Sequence, residues 1–111
     1  MDKNYYITTP IYYPSAKPHM GHAYSSILAD FFARFKRIQG YKVFFLTGTD
    51  EHGQKIQRAA KKKNKNPQSF CDEISKNFRK LSETLNLSNN DFIRTTEARH
   101  LASASHLWKI L

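Results

Sequence analysis

His19 and His22 flank Met20 and Gly21 at the end of a run punctuated by Pro10, Pro14 and Pro18. On a helix, two side chains three residues apart share one side of a turn. Imidazoles so placed can donate hydrogen bonds to an anion near neutral pH. Gly21, without a Cβ, lets a flat ring or a phosphate approach the backbone. A helix start adds unpaired N–H groups and the positive end of the peptide dipole, so the junction suits a nucleotide phosphate. A second polar turn, Gly48-Thr49-Asp50-Glu51-His52-Gly53, carries further chemistry. Asp50 could cap the following helix, or join His52 and the histidine pair around a metal. The residues alone leave these uses open, and His19 and His22 could equally be ordinary helix-start residues.

Both turns need elements to hold them. Tyr5-Tyr6-Ile7-Thr8-Thr9 is aromatic and β-branched and stops at a proline, as a strand does. The three prolines disfavour helix before each of them, so a helix begins only around His19 or Met20. Met20, Tyr24, Ile27, Leu28, Phe31, Phe35 and Ile38 then recur at helical spacing up to Gly40; Phe31 and Phe35 are expected in the core. Lys42–Thr47 is a short apolar run expected to form a strand buried on both faces. A helix follows from about Gln54 and ends in Lys61, Lys62, Lys63 and Lys65. Asn66-Pro67 reads as an N-cap and first helical position, with Phe70, Ile74, Phe78, Leu81 and Leu85 along one face of the next helix. Phe92–Thr96 reads as a third strand, and a last helical pattern runs through Leu101, Leu107 and Trp108 to Leu111. That pattern meets no stop signal, which suggests a fragment.

The order β-α-β-α-α-β-α predicts a parallel sheet of the nucleotide-binding α/β type, Rossmann-like, with both odd turns at the carboxyl ends of strands. Composition narrows the partners. With 18 basic and 9 acidic residues the formal charge is +9, which points to a polyanion or to a solvated basic surface. The chain of 111 residues and 40% hydrophobic composition allows one small domain or part of a larger one. Cys71 is the single cysteine, which excludes an internal disulfide framework or thiolate zinc site and fits a reducing compartment. No apolar run is long enough to span a bilayer, and Met1–Asn4 lacks a secretory plan, so the expected location is cytoplasmic, with no membrane partner.

Pro18-His19-Met20-Gly21-His22 is similar to the His-Ile-Gly-His signature of class I aminoacyl-tRNA synthetases. The segments Ile7–Pro14, Ala29-Asp30 with Arg34, Phe44–Ile56 and Phe92–Thr96 with Glu97 and His100 extend the likeness over nearly the whole chain. Together they resemble the amino-terminal catalytic half-domain of a bacterial or organellar methionyl-tRNA synthetase. The Thr-Gly-Thr-Asp-Glu-His-Gly turn is the more selective signal, because small nucleotidyltransferases also use the histidine motif. The resemblance implies that residues 1–111 are the first half of a Rossmann catalytic domain, placed before the connective insertion, the lysine loop and the anticodon-binding region.

It further implies activation of methionine by ATP to methionyl adenylate, with transfer to tRNA(Met) by the full-length chain. His19 and His22 would be catalytic, with Gly21 they would bind ATP, and magnesium would arrive with ATP. Asp50 would bind the ammonium group, Tyr13 would wall the methionine pocket and the Ile11 backbone would reach the thioether; no metal is expected on this segment. The family's Lys-Met-Ser-Lys-Ser loop is absent from these residues, which implies that the fragment alone is inactive. Two other readings use the same residues: a small stand-alone nucleotidyltransferase built on the histidine motif, and a non-catalytic basic module binding RNA through Arg58 and Lys61–Lys65.

Overall fold

Proline spacing and local capping set the first half of the fold. In a computed structural model, which describes residues 2–111, β1 (Asn4–Thr8) runs through the proline-rich loop into α1 (Met20–Ile38), and β2 (Lys42–Thr49) leads into α2 (Gln54–Lys62). Then follow α3 (Pro67–Thr84), β3 (Asp91–Arg94) and α4 (Ala98–Ile110). The helix starts match the expectations from proline and caps. His19 is the N-cap of α1, and Asn66 caps α3, its side chain accepting from the Gln68 and Ser69 amides with Pro67 at the first turn. Strand ends differ slightly: β2 continues through Gly48 to Thr49 and β3 stops at Arg94. Thr95 and Thr96 are diverted because their hydroxyls bond Glu51.

All strand pairs are parallel, in the order β1-β2-β3. Asn4 pairs with Lys42 and Thr8 with Leu46; Leu46 pairs in turn with Asp91 and Thr49 with Arg94. Side chains alternate between faces along a strand, so Val43, Phe45 and Thr47 of β2 share one face with Ile7 and Phe92. The helices cover that face. Ala29 and Ala33 of α1 pack on Phe45, Ile7 and Val43. Beside them Ile56 and Ala60 of α2 meet Phe70, Cys71, Ile74 and Phe78 of α3, together with Tyr12 and Phe92.

The opposite face is bare. Tyr6 and Phe44, stacked with ring centroids 5.9 Å apart, are 62% and 46% exposed. The central strand is thus covered on one face, not on both as its apolar run implied, and the described residues form a slab 52 × 38 × 16 Å. The expectation for α1 also needs correction. Its buried face consists of Ser26, Ala29, Asp30 and Ala33, small enough to seat the helix close to the sheet. The large apolar stripe lies on the other side, with Phe31 and Phe35 exposed. Asp30 has a structural use: its carboxylate accepts from the Ser88 amide at 2.7 Å, the Ser88 hydroxyl at 2.6 Å and Arg34 Nε at 2.7 Å. Burial pushes its pKa up, but the bonds from Ser88 and Arg34 outweigh this and hold it below the usual carboxylate range. The loop entering β3 is thereby pinned to α1.

Candidate functional site

At the carboxyl edge of the sheet the loop after β1 lies along the end of β2. Tyr12 forms an isolated parallel bridge with Thr49. Its amide donates to the Gly48 carbonyl at 2.9 Å, and its carbonyl accepts from the Asp50 amide at 2.8 Å. The buried Tyr12 ring stacks on Phe78 with centroids 5.5 Å apart and meets the His22 ring edge-on at 4.9 Å. Its hydroxyl bonds Ser26 and the His22 carbonyl. Tyr12 is therefore a core residue that ties both polar turns to one another.

The histidines form a reciprocal cap. His19 Nδ1 accepts from the Gly21 amide and His22 Nδ1 accepts from the His19 amide, both at 3.0 Å. Two orphan donors of the helix start are thus consumed. An accepting Nδ1 carries no proton, so in each neutral ring the proton sits on Nε2. The rings lie 3.9 Å apart, inclined by 30°. Burial, and then the charge of His19, lower the His22 pKa below its ordinary value, favouring the neutral tautomer. With those two amides bonded, the donors this junction keeps for an anion include imidazole Nε2–H. Gly21 is needed for the same reason: a Cβ there would stand 2.9 Å from His19 Cε1 and 3.1 Å from Nδ1. The flat ring that approaches this glycine is that of His19.

Around Asp50 the turn is held by its neighbours. Asp50 is half-buried and does not cap α2, whose N-cap is Gly53 without a side-chain bond. Glu51 beside it is buried and saturated. Its carboxylate accepts from Thr49 Oγ1 at 2.6 Å, Thr96 Oγ1 at 2.9 Å, Arg94 Nε at 2.7 Å and Arg94 Nη2 at 2.8 Å. Arg94 Nη2 also donates to Asp72. The hydrogen bonds that Arg94 donates to Glu51 first, then to Asp72, raise its pKa further against the opposing effect of burial. The Glu51 amide donates to Thr95 Oγ1 at 2.8 Å, which completes a clamp between the β2 turn and the end of β3. Sequence reasoning missed the Glu51–Arg94 pair; its one signal was an acid and an arginine at the ends of neighbouring strands.

Tyr13 donates its hydroxyl to the His52 carbonyl at 2.8 Å. Gly53, at φ 121°, leaves room for that hydroxyl, which a Cβ would strike. Ile11 is 45% exposed on the same loop. The structure thus brings Ile11, Tyr13, His19, Gly21, His22 and Asp50 to one sheet edge, linked through Tyr12. No group of three or more His, Cys, Asp or Glu among the described residues could hold a metal, so the possible metal site around Asp50, His52 and the histidine pair does not assemble.

A sequence model of the family described as tRNA synthetases class I (M) matches residues 5–111. The chain belongs to the methionyl-tRNA synthetases of class I. The chain is 54% identical over its whole length to a methionine–tRNA ligase of Rickettsia bellii. It is 53% identical over 110 residues to a mitochondrial one of Takifugu rubripes. It spans 22% and 19% of the lengths of these relatives. A structure of Mycobacterium tuberculosis methionyl-tRNA synthetase in complex with methionyl-adenylate superposes with a TM-score of 0.94 at 48% identity, over 96% of this chain and 21% of that one. A leucyl enzyme of Agrobacterium radiobacter in a ternary complex with tRNA, at 22% identity and TM-score 0.84 over 99% of this chain and 14% of that one, shares the fold. The parallel sheet of this chain is accordingly the Rossmann-like sheet of class I.

Proposed function

We propose that these residues are the amino-terminal half of the catalytic domain of a methionine–tRNA ligase and furnish one wall of its adenylate-forming site. The observation that carries the proposal is the joint placement of two turns. His19 and His22, with Nε2 protons not used by the cap, and Asp50, not used as a helix cap, meet at one sheet edge through Tyr12. The sequence likeness to methionine–tRNA ligases supports the choice of amino acid, and the described methionyl-adenylate complex supports the chemistry.

In the proposed reaction the methionine carboxylate attacks the α-phosphorus of ATP. A new P–O bond forms, the bond to the β-phosphate oxygen breaks, and pyrophosphate leaves. Negative charge builds on the α-phosphoryl oxygens, where Nε2–H of His19 and His22 would donate; preorganised donors of this kind need no reorientation as the charge develops. Gly21, whose missing Cβ leaves the space that the His19 ring takes, would let the nucleotide lie over that ring at the helix start. Asp50 would hold the methionine ammonium group, Tyr13 would wall the side-chain pocket and the Ile11 backbone would reach the thioether. Magnesium would be carried by the triphosphate, and no step here depends on it.

Transfer of the methionyl group to tRNA(Met) belongs to the full-length parent chain, in the cytoplasm on this reading. The residues here, which lack a Lys-Met-Ser-Lys-Ser loop, are proposed to be inactive alone. Methionine-dependent exchange of labelled pyrophosphate into ATP, measured on the parent chain, tests the proposal. Exchange that answers to another amino acid and not to methionine sinks it.

A further inference from the structure

We infer that the cleft between the Pro14–Lys17 loop, α2 and α3 is a track for an RNA phosphate backbone leading to the candidate site; its placement as a tRNA track rests on the proposed ligase function. The cleft has a volume of about 760 Å³, far more than a single phosphate fills. Its floor is apolar, with Ala59, Phe70 and Ile74, and its rim is cationic. Lys55, Arg58 and Lys62 stand at i, i+3 and i+7, so they form one row along α2. Seven residues at 1.5 Å each extend about 10 Å, the axial length over which one nucleic-acid strand presents about three phosphates.

Lys63, the C-cap of α2, continues the row, and Lys17 of the loop lines the same cleft. The ion pairs among the described residues leave all five without a carboxylate partner, whereas Lys65 is paired with Glu73. The structure thus divides the lysine-rich run: Lys65 is neutralised by Glu73, Lys61 lines a second, shallower surface with Gln54 and Gln57 that Arg58 also borders, and Lys62 and Lys63 line the cleft.

Direction comes from continuity with the site. Lys17 lies two residues before the N-cap His19, and Lys55 Nζ sits 5.8 Å from the centre of the Tyr13 ring. An RNA that accepts an aminoacyl group must bring its end to the adenylate while its preceding phosphates lie outside. A row of unpaired cations beginning beside Tyr13 and His19 and running outward along α2 meets that requirement. The apolar floor adds a surface on which a base or ribose can rest.

The test uses the full-length parent chain with Arg58, Lys62 and Lys63 replaced together, once by Gln and once by Glu; none of these three touches the proposed adenylate site. Affinity for a tRNA(Met) transcript is read by gel shift at several salt concentrations, and methionine-dependent pyrophosphate exchange is read in parallel. The expected result is about tenfold weaker RNA binding for the Gln variant and a larger loss for the Glu variant. The slope of log affinity against log salt should be shallower by about two, with exchange within about twofold of the unaltered chain. Unchanged affinity and slope overturn the inference, as does exchange that falls in step with RNA binding in both variants, since the cations would then serve the adenylate site. Failure of methionine-dependent exchange in the unaltered chain instead overturns the ligase reading, and the gel shift then still decides whether the cleft carries RNA.

Discussion

Arg94 at the end of β3 embraces the Glu51 carboxylate through Nε and Nη2, at 2.7 and 2.8 Å, and the Glu51 side chain is wholly buried. This pair sets the position of the turn that carries Asp50. Removing the arginine strands a buried carboxylate, a change that costs roughly 3–5 kcal/mol in comparable cases. Arg94→Ala should therefore lower stability by about that amount in urea unfolding, with Arg94→Lys intermediate because one ammonium cannot reproduce a two-pronged contact. A loss below about 1 kcal/mol for Arg94→Ala would mean that Thr49 and Thr96 suffice to hold Glu51.

His22 gives the fold a pH dependence whose sign follows from its lowered pKa. Burial is the larger cause and the nearby His19 the second; Tyr12 and Phe78 pack on the same ring. Above the ordinary imidazole value near 6.5, folded and unfolded chains both hold His22 neutral and its contribution is complete. As pH falls through 6.5 the unfolded chain takes up a proton that the folded one resists. Stability is lost until the depressed folded pKa is reached. The Tm should thus fall between pH 7.5 and 5.5, and His22→Gln, which can still accept from the His19 amide as a capping-box residue, should flatten that fall. Equal slopes for both proteins would assign the effect elsewhere.

Elements whose determinants are local were legible in the sequence. Proline and cap chemistry located the starts of α1 and α3, and the alternation of strands with helices predicted the parallel sheet. The candidate site residues were also legible as types and spacings. Their mutual geometry was not: Glu51 and Arg94 are 43 positions apart, and no periodicity reports which acid such an arginine will meet. The stripe of α1 misled for a related reason. Helical spacing identifies an apolar face, but Ala29 and Ala33 win the sheet because small side chains permit the closest approach, leaving Phe31 and Phe35 outside. Likewise, the sequence could not reveal that the His19 and His22 rings turn Nδ1 inward to cap the helix, which fixes the nitrogen left for a ligand.

Cys71 should be inert in the folded chain. It is 1% exposed, and burial, reinforced by the Glu51 charge, pushes its thiol up to about 11. Only the thiolate is nucleophilic, so little of it exists at pH 8, and access is blocked as well. Alkylation by iodoacetamide at pH 8 should be at least about a hundredfold slower for folded than for urea-unfolded chain, the thiolate fraction at an ordinary pKa near 8.5 being far larger. Equal rates would show that the α3 face opens readily, since the thiol contributes to the cluster shared by Ile56, Phe70 and Phe78.

Gly21→Ala separates the structural from the chemical use of the first helical turn. A new Cβ would stand 2.9 Å from His19 Cε1, and the imidazole is the movable partner. Its displacement sacrifices the bond from the Gly21 amide to Nδ1, a capping interaction worth about 1 kcal/mol, while alanine favours the helix by up to about 1 kcal/mol over glycine. These terms nearly cancel, so stability should change little. The ring shift should matter far more to the proposed chemistry: it moves the Nε2 donor away from the α-phosphoryl group, where one lost donor costs a hundredfold or more in comparable sites, or roughly 3 kcal/mol. In the parent chain, pyrophosphate exchange should fall through kcat, with the KM for methionine within about threefold and the Tm almost unmoved. A large drop in Tm with exchange retained per folded molecule would assign Gly21 to helix packing alone.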